Sequence, residues 1–351
     1  MARHQRRHAV SRAGFGARGM IVVAVAALVA VAVVLAGVFV WWMPRPSTST
    51  GESSRNASEP ASGRSIASED VSGAADLTTP GHEVLNRSGV PQPNAGIVGR
   101  KAGEARMADV KTAIATAMSA SGGTWSAYAE DLTSGATVSL NEQPMVAASE
   151  IKLYVMLTIY DRLASGTLNT GGRNTDALLG EMITVSSNSA TNQLVLMIGD
   201  GDMAVGMQRV TDTAARYGFA SSRQLRALSD AGTDGSGTEN WTSSADCGRL
   251  LAALYRGQLV SPEASQSMLT LLEGQTRRNK IPSGVPAGIQ VANKTGELGG
   301  VENDAAIIWG KAADGSARDY VLVIMTSGVD SATAQQAIVG ASSAVYAAMT
   351  A

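Results

Sequence analysis

The spacing of hydrophobic and polar residues divides the chain into stretches of different rhythm. Met20 to Trp42 is an unbroken run without charge. Its 23 residues, at about 1.5 Å each, span about 34 Å, enough to cross the hydrocarbon core of a bilayer. From 43 to 104 the periodicity disappears, and Ser, Gly, Pro, Asn and Glu dominate. Such a stretch has too little apolar surface to offset the entropy of ordering and is expected to form a disordered linker. From Ala105 the pattern becomes that of a folded domain. Met107, Val110, Ile114, Ala115 and Met118 recur at helical spacing. Trp125–Asp131, the turn Thr133-Ser134-Gly135 and Thr137–Leu140 read as a β-hairpin. Amphipathic helices are predicted over Ile151–Leu163, Asn192–Ile198 and Met203–Tyr217, with further helices at Ser244–Tyr255 and Pro262–Glu273. Ser261-Pro262-Glu263 is a strong helix start, with proline in the first helical position. Strands are predicted at Gly288–Asn293, Asp304–Trp309 and Tyr320–Thr326, and a helix at Gln335–Met349 closes the chain. Strands at both ends with helices between them predict an α+β fold. One antiparallel sheet is flanked by the terminal helices, the middle forms a helical subdomain, and a site lies at the seam.

Composition narrows what this domain does. The chain has 351 residues, 44% hydrophobic and 17% charged, enough for a sizeable core. A formal net charge of −2 offers nucleic acid no electrostatic footprint. Cys247 is the only cysteine, which excludes an intrachain disulfide; it reads as a small buried hydrophobe within a helix. Ahead of the apolar run stand Arg3, Arg6, Arg7, Arg12 and Arg18, without an acid. The positive-inside rule places that end in the cytoplasm, and Trp41 and Trp42 fall where an interfacial belt belongs. The expected layout is a basic cytoplasmic tail (1–19), a transmembrane signal anchor (20–42), the linker (43–104) and an extracytoplasmic domain (105–351) held at the cell membrane by a single pass. The alternative is a secreted protein released by signal cleavage, although Val38-Phe39-Val40-Trp41-Trp42-Met43-Pro44 is a poor cleavage site.

The three histidines, His4, His8 and His82, all precede the domain. That excludes Ser-His-Asp and Cys-His catalysis there and disfavours an ordinary zinc enzyme. No metal or organic cofactor is called for. Three polar signatures remain, in order: Ser149-Glu150-Ile151-Lys152, Ser186-Ser187-Asn188 and Lys294-Thr295-Gly296. Ser149 opens a helical run, where unpaired N–H groups favour negative charge. Lys152 follows three residues later, on the same face. A buried lysine loses its proton more easily and can serve as base to the hydroxyl. Ser186 and Asn188 sit between two apolar helical segments, either aimed into a cleft or capping the next helix. Lys294 and Thr295 end a predicted strand, where they could hold a carboxylate. Gly296 would let a substrate strand lie against the backbone.

In this order the motifs resemble those of the class A-like β-lactamase and penicillin-recognising active-site-serine hydrolase family. The resemblance spans about 105–351 and also touches Asp131–Gly135, Glu239-Asn240-Trp241-Thr242-Ser243, Ile281-Pro282 and Asn303-Asp304-Ala305-Ala306. It implies a β-lactamase/transpeptidase-like fold and a role for each matching residue. Ser149 is acylated by a β-lactam or D-alanyl peptide, with Lys152 as base. Ser186 passes a proton to the leaving nitrogen, and Asn188 holds the substrate amide. Lys294 and Thr295 bind its carboxylate, and the backbone N–H groups of Ser149 and Glu297 form the oxyanion hole. Three features depart from the pattern. Ser187 stands where aspartate is usual, the interval from Ser149 to Ser186 is short, and no Glu-x-x-Leu-Asn supplies a deacylating glutamate. Glu239, Asp234 and Asp230 are the acids in that region. Three functions stay open: β-lactam hydrolysis, a D-alanyl-D-alanine carboxypeptidase-type penicillin-binding protein, and a degenerate cell-wall-binding module. The expected partners are a small β-lactam or peptidoglycan peptide and the membrane. Oligomeric state cannot be read from the sequence.

Overall fold

A computed structural model describes residues 84–85, 91–92, 97–232 and 237–351. The basic tail, the apolar run 20–42 and most of the linker lie outside the described residues, as does Asp234. No helix among the described residues is long and apolar enough to cross a membrane.

The first helix, α1 (Ile97–Met118), begins ahead of position 105, where the hydrophobic periodicity sets in. Strands β1 (Thr124–Asp131) and β2 (Thr137–Leu140) form the predicted hairpin. The central sheet also contains β5 (Val291–Leu298), β6 (Val301–Lys311) and β7 (Ala317–Ser327). Its order is β2-β1-β7-β6-β5, antiparallel throughout, so the early hairpin joins the late strands through β1 and β7.

Alternation along the strands separates two cores. Ala127, Ala129, Ile308, Leu322 and Ile324 pack beneath α1 and the closing helix α8 (Ser331–Thr350). Tyr128, Ala305, Ile307, Val321 and Val323 face the helical half. That half comprises α2 (Lys152–Ala164), α3 (Thr175–Thr184), α4 (Asn188–Ile198), α5 (Met203–Arg216), α6 (Ser244–Tyr255) and α7 (Pro262–Glu273). Helix α2 was expected to be amphipathic, yet Lys152 through Ile159 are all buried. It is the central helix of this half, and a helix enclosed on every side has no solvent face.

The largest correction concerns β5. It starts at Val291, later than the predicted Gly288, and runs through Lys294-Thr295-Gly296 to Leu298. Pairing with β6 sets this course: Lys294 is opposite Ala305, Thr295 opposite Asp304, and Gly296 opposite Asn303. The polar residues Asn293, Lys294 and Thr295 are buried, so hydrophobic patterning ended the strand too early. A two-residue ladder too short for patterning, β3 (Met145–Val146) with β4 (Trp241–Thr242), ties the approach to Ser149 to the start of α6. Cys247 lies buried inside α6, as expected of a small hydrophobe.

Candidate active site

Ser149 sits in a 3-10 turn, Ala148–Ile151, that leads directly into α2. Three contacts fix this turn. The Ala147 N–H donates to the Asn240 carbonyl at 2.8 Å. Asn303 Nδ2 donates to the Val146 carbonyl at 3.0 Å. Gly296 of β5 lies so close that a Cβ there would meet the Ala147 carbonyl oxygen at 2.9 Å and Ala148 Cβ at 3.2 Å. Gly296 thus seats the turn that carries Ser149 against the edge strand, a role the sequence did not suggest. Ala148 takes a left-handed φ of 45°, and Ser186 one of 62°. Such strain in non-glycine residues costs about 1–3 kcal/mol each and persists only where the surroundings enforce it.

Lys152 projects from the first turn of α2 and is fully buried. Its Nζ is 3.0 Å from Ser149 Oγ, 2.7 Å from the Ser186 carbonyl, 3.0 Å from Ser186 Oγ and 2.8 Å from Asn188 Oδ1. Four polar neighbours exceed the three hydrogens of an ammonium. As a neutral amine it donates to the Ser186 carbonyl and Asn188 and accepts from the Ser149 hydroxyl, which leaves Ser186 Oγ as the fourth neighbour. Burial first, then the positive charges of Lys294 and Arg277, brings its pKa down from 10.5 to about 6. Glu297 and Asp230 oppose that shift.

Ser186 occupies the turn between α3 and α4. The helix cap falls on its neighbour: Ser187 Oγ accepts from the Ala190 N–H at 3.1 Å. A serine caps well here, which explains why the departure from aspartate leaves the turn intact. Ser186 is thereby free for the cleft. Its hydroxyl oxygen accepts from Lys294 Nζ at 3.0 Å, so its own hydrogen is available to a leaving group. Lys294 is fully buried, and burial lowers its pKa to about 8 against the pull of Glu297. Thr295 is also fully buried, and its hydroxyl has no partner among the described residues. Asn188 opens α4 and bridges two groups: Oδ1 accepts from Lys152, and Nδ2 donates to Asp230 Oδ1 at 2.8 Å.

Ser149, Ser186, Asn188 and Asp230 help to line an open cleft of about 440 Å³, whereas Lys152, Lys294 and Thr295 are fully buried and do not line it. Two of the three loop acids are described, and their fates differ. Asp230 reaches Asn188. Glu239 also lines the cleft, but Arg226 grips its Oε2 through Nε at 3.0 Å and Nη2 at 2.7 Å. It ties residues 226 and 239 across the loop. Asp304 is structural: it accepts from the Ile281 N–H and Asn293 Nδ2, both at 2.9 Å.

Sequence reasoning missed several residues. Glu150 follows the nucleophile yet is fully buried, and burial together with Asp304 pushes its pKa well up. Arg277 and Glu302 line the cleft as well, and Lys280 is buried behind it. No motif marks them, since loops and edge strands deliver them from separate parts of the chain.

A family model for the beta-lactamase enzyme family matches residues 109–173 and 174–349. The chain belongs to that family. Beta-lactamase AST-1 of Nocardia asteroides is 33% identical over 144 residues, 39% of this chain. The match spans 44% of that relative's length. A solved beta-lactamase from Sphaerobacter thermophilus superposes with a TM-score of 0.58 at 27% identity, covering 69% of this chain and 97% of that one. A point mutant of PBP-A, solved as an acyl-enzyme complex with penicillin G, shares the fold at a TM-score of 0.58 and 20% identity, over 69% of this chain and 96% of its own. The family match spans the segments that carry Ser149, Lys152 and Ser186, whose polar atoms the fold gathers around Lys152 Nζ. It also sharpens the contrast at the loop. Among the described residues, no carboxylate hydrogen-bonds Ser149 or Lys152, and Asp230 stands one amide away.

Proposed function

We propose that this protein is an exported, membrane-anchored serine hydrolase that forms an acyl-enzyme on Ser149 with a β-lactam or a D-alanyl peptide and hydrolyses it. The observation that carries this reading is the neutral-prone Lys152 amine 3.0 Å from the Ser149 hydroxyl. Lys152 takes the Ser149 proton as Oγ bonds to the substrate carbonyl carbon. The carbon–nitrogen bond then breaks, and the Ser186 hydroxyl gives its hydrogen to the departing nitrogen while Lys152 passes the proton taken from Ser149 to Ser186 Oγ. Backbone N–H groups of Ser149 and Glu297 stabilise the oxyanion. Lys294 and the unpartnered Thr295 hydroxyl receive the substrate carboxylate. For the second half-reaction, Asp230 takes a proton from the attacking water, and that proton passes to Ser149 Oγ as the ester bond breaks, which restores both side chains. The Asn188 bridge between Asp230 and Lys152 supports this assignment. The arginines and the apolar run at the N-terminus support anchoring, with the domain outside the cell.

The test is a mass-spectrometric time course of the full chain with benzylpenicillin. An adduct on Ser149 that forms and clears is expected, with none in Ser149→Ala. Asp230→Asn should still acylate but clear the adduct at least about a hundredfold more slowly, the usual worth of a general base. An adduct that persists for hours in the unmodified protein points instead to a penicillin-binding carboxypeptidase. Among the described residues no carboxylate hydrogen-bonds Lys152, which favours that second reading. No adduct under any condition refutes both.

A further inference from the structure

The cleft wall beside β5 carries four charged side chains that acyl transfer does not use: Arg277, Lys280, Glu297 and Glu302. Glu297 immediately follows Lys294-Thr295-Gly296, and both of its oxygens are taken. Oε1 accepts from Lys280 Nζ at 2.9 Å, and Oε2 accepts from Arg277 Nη1 at 2.5 Å. The two cations are anchored very differently. Lys280 is fully buried and also donates to Glu302 Oε2 at 2.9 Å. Glu302 is fixed in turn by the Ser331 hydroxyl and by Gln335 Nε2. Glu297 is thus pinned from behind. Arg277, by contrast, is 48% exposed and lines the cleft. Its guanidinium is the one group on this wall suited to fork onto a substrate carboxylate, and it is already engaged.

We propose that Glu297 is a specificity-determining residue: its carboxylate occupies Arg277 and withholds that guanidinium from an incoming substrate carboxylate. The inference rests on the proposed acylation of Ser149 by carboxylate-bearing amides. The substrate's acid is left with Lys294 and Thr295 alone, and a carboxylate at the rim repels a second acid on the substrate. The favoured substrate is a monocarboxylate whose leaving side carries neutral or cationic groups.

A double-substitution cycle tests this on the full chain. Acylation by benzylpenicillin and by its methyl ester is measured in wild type, Glu297→Gln, Arg277→Ala and the double variant. Glu297→Gln should raise the acid-to-ester ratio of acylation rates about tenfold, the worth of one charge-assisted hydrogen bond. Adding Arg277→Ala should cancel that gain. Equal effects of Arg277→Ala in both backgrounds, or equal gains for acid and ester, overturn the proposal. If Glu297→Gln fails to fold, the acid-to-ester rate ratio decides the matter. A ratio that survives Arg277→Ala supports masking, and one that collapses overturns it. The same substitutions placed on Ser149→Ala, with benzylpenicillin affinity read by calorimetry, separate this idea from the acylation reading. A tenfold tighter Kd in Glu297→Gln that Arg277→Ala abolishes supports masking even if no adduct ever forms. An unchanged Kd overturns it.

Discussion

Removing the charge of Lys294 should move the pH at which Ser149 becomes reactive. Lys152 is the proton acceptor in the proposed reaction, and its pKa of about 6 reflects burial first and the Lys294 charge second. Raising the pH removes the Lys152 proton, so acylation should climb about tenfold per pH unit below 6 and level off above it. With a pKa of about 6, roughly ten of every eleven Lys152 side chains are neutral at pH 7; an ordinary lysine would be neutral in about one of three thousand. The size of the Lys294 contribution follows from geometry. Both lysine nitrogens are 3.0 Å from Ser186 Oγ, so they are no more than about 6 Å apart. At an effective dielectric constant of about 20, unit charges at that separation repel by about 2.8 kcal/mol, or about two pH units. Lys294→Met, similar in volume and without charge, should therefore carry the acidic limb from near pH 6 to near pH 8. Stopped-flow acylation by a chromogenic β-lactam between pH 4.5 and 9 reads the limb directly. Weaker substrate binding lowers the whole profile without moving its inflection. A limb that stays near pH 6 in Lys294→Met refutes the coupling, and a wild-type limb above pH 8 refutes Lys152 as a base poised by burial.

Gly296→Ala should lose about 1–3 kcal/mol of stability and most acylation activity, because the new Cβ strikes the Ala147 carbonyl and shifts the Ser149 turn. Denaturant melts and acylation rates check this, and a variant of wild-type activity contradicts it. Ser187→Ala should lose about 1 kcal/mol from the α4 cap while keeping most of its acylation rate, since Ser187 serves the helix and Ser186 the cleft. A loss of acylation far beyond the loss of stability would place Ser187 in the chemistry. Lys280 and Arg277 hold Glu297 at about 2 despite burial, below its ordinary 4.5. The folded state therefore binds fewer protons than the unfolded one between those values. The resulting stability, about 3 kcal/mol, is present above pH 4.5 and lost as the pH falls toward 2. Thermal melts of Glu297→Gln should lack that acidic loss, and curves parallel to wild type would refute the assignment.

Much of this protein was legible in one dimension because the signals are local. The hairpin at Thr124–Leu140, the capped helix at Pro262–Glu273 and the sheet's composition follow from periodicity and turn chemistry. The three motifs place nucleophile, base and hydroxyl in order, since Ser149 and Lys152 stand one helical turn apart. The sequence also exposes what is missing: a domain without histidine and a loop without the expected glutamate. Tertiary structure decided everything that depends on distance between remote segments. Burial of Asn293, Lys294 and Thr295 extended β5 past its hydrophobic residues, because ladder pairing with β6 overrode composition. Three acids in one loop look alike in sequence. Only folding assigned Glu239 to Arg226 and Asp230 to Asn188, and it joined Arg277, Lys280 and Glu302 to Glu297 along the cleft wall. The reason is physical. Helix and strand propensities act over a few residues, whereas the charge and proton affinity of a side chain are set by whatever the fold brings within about 4–6 Å of it.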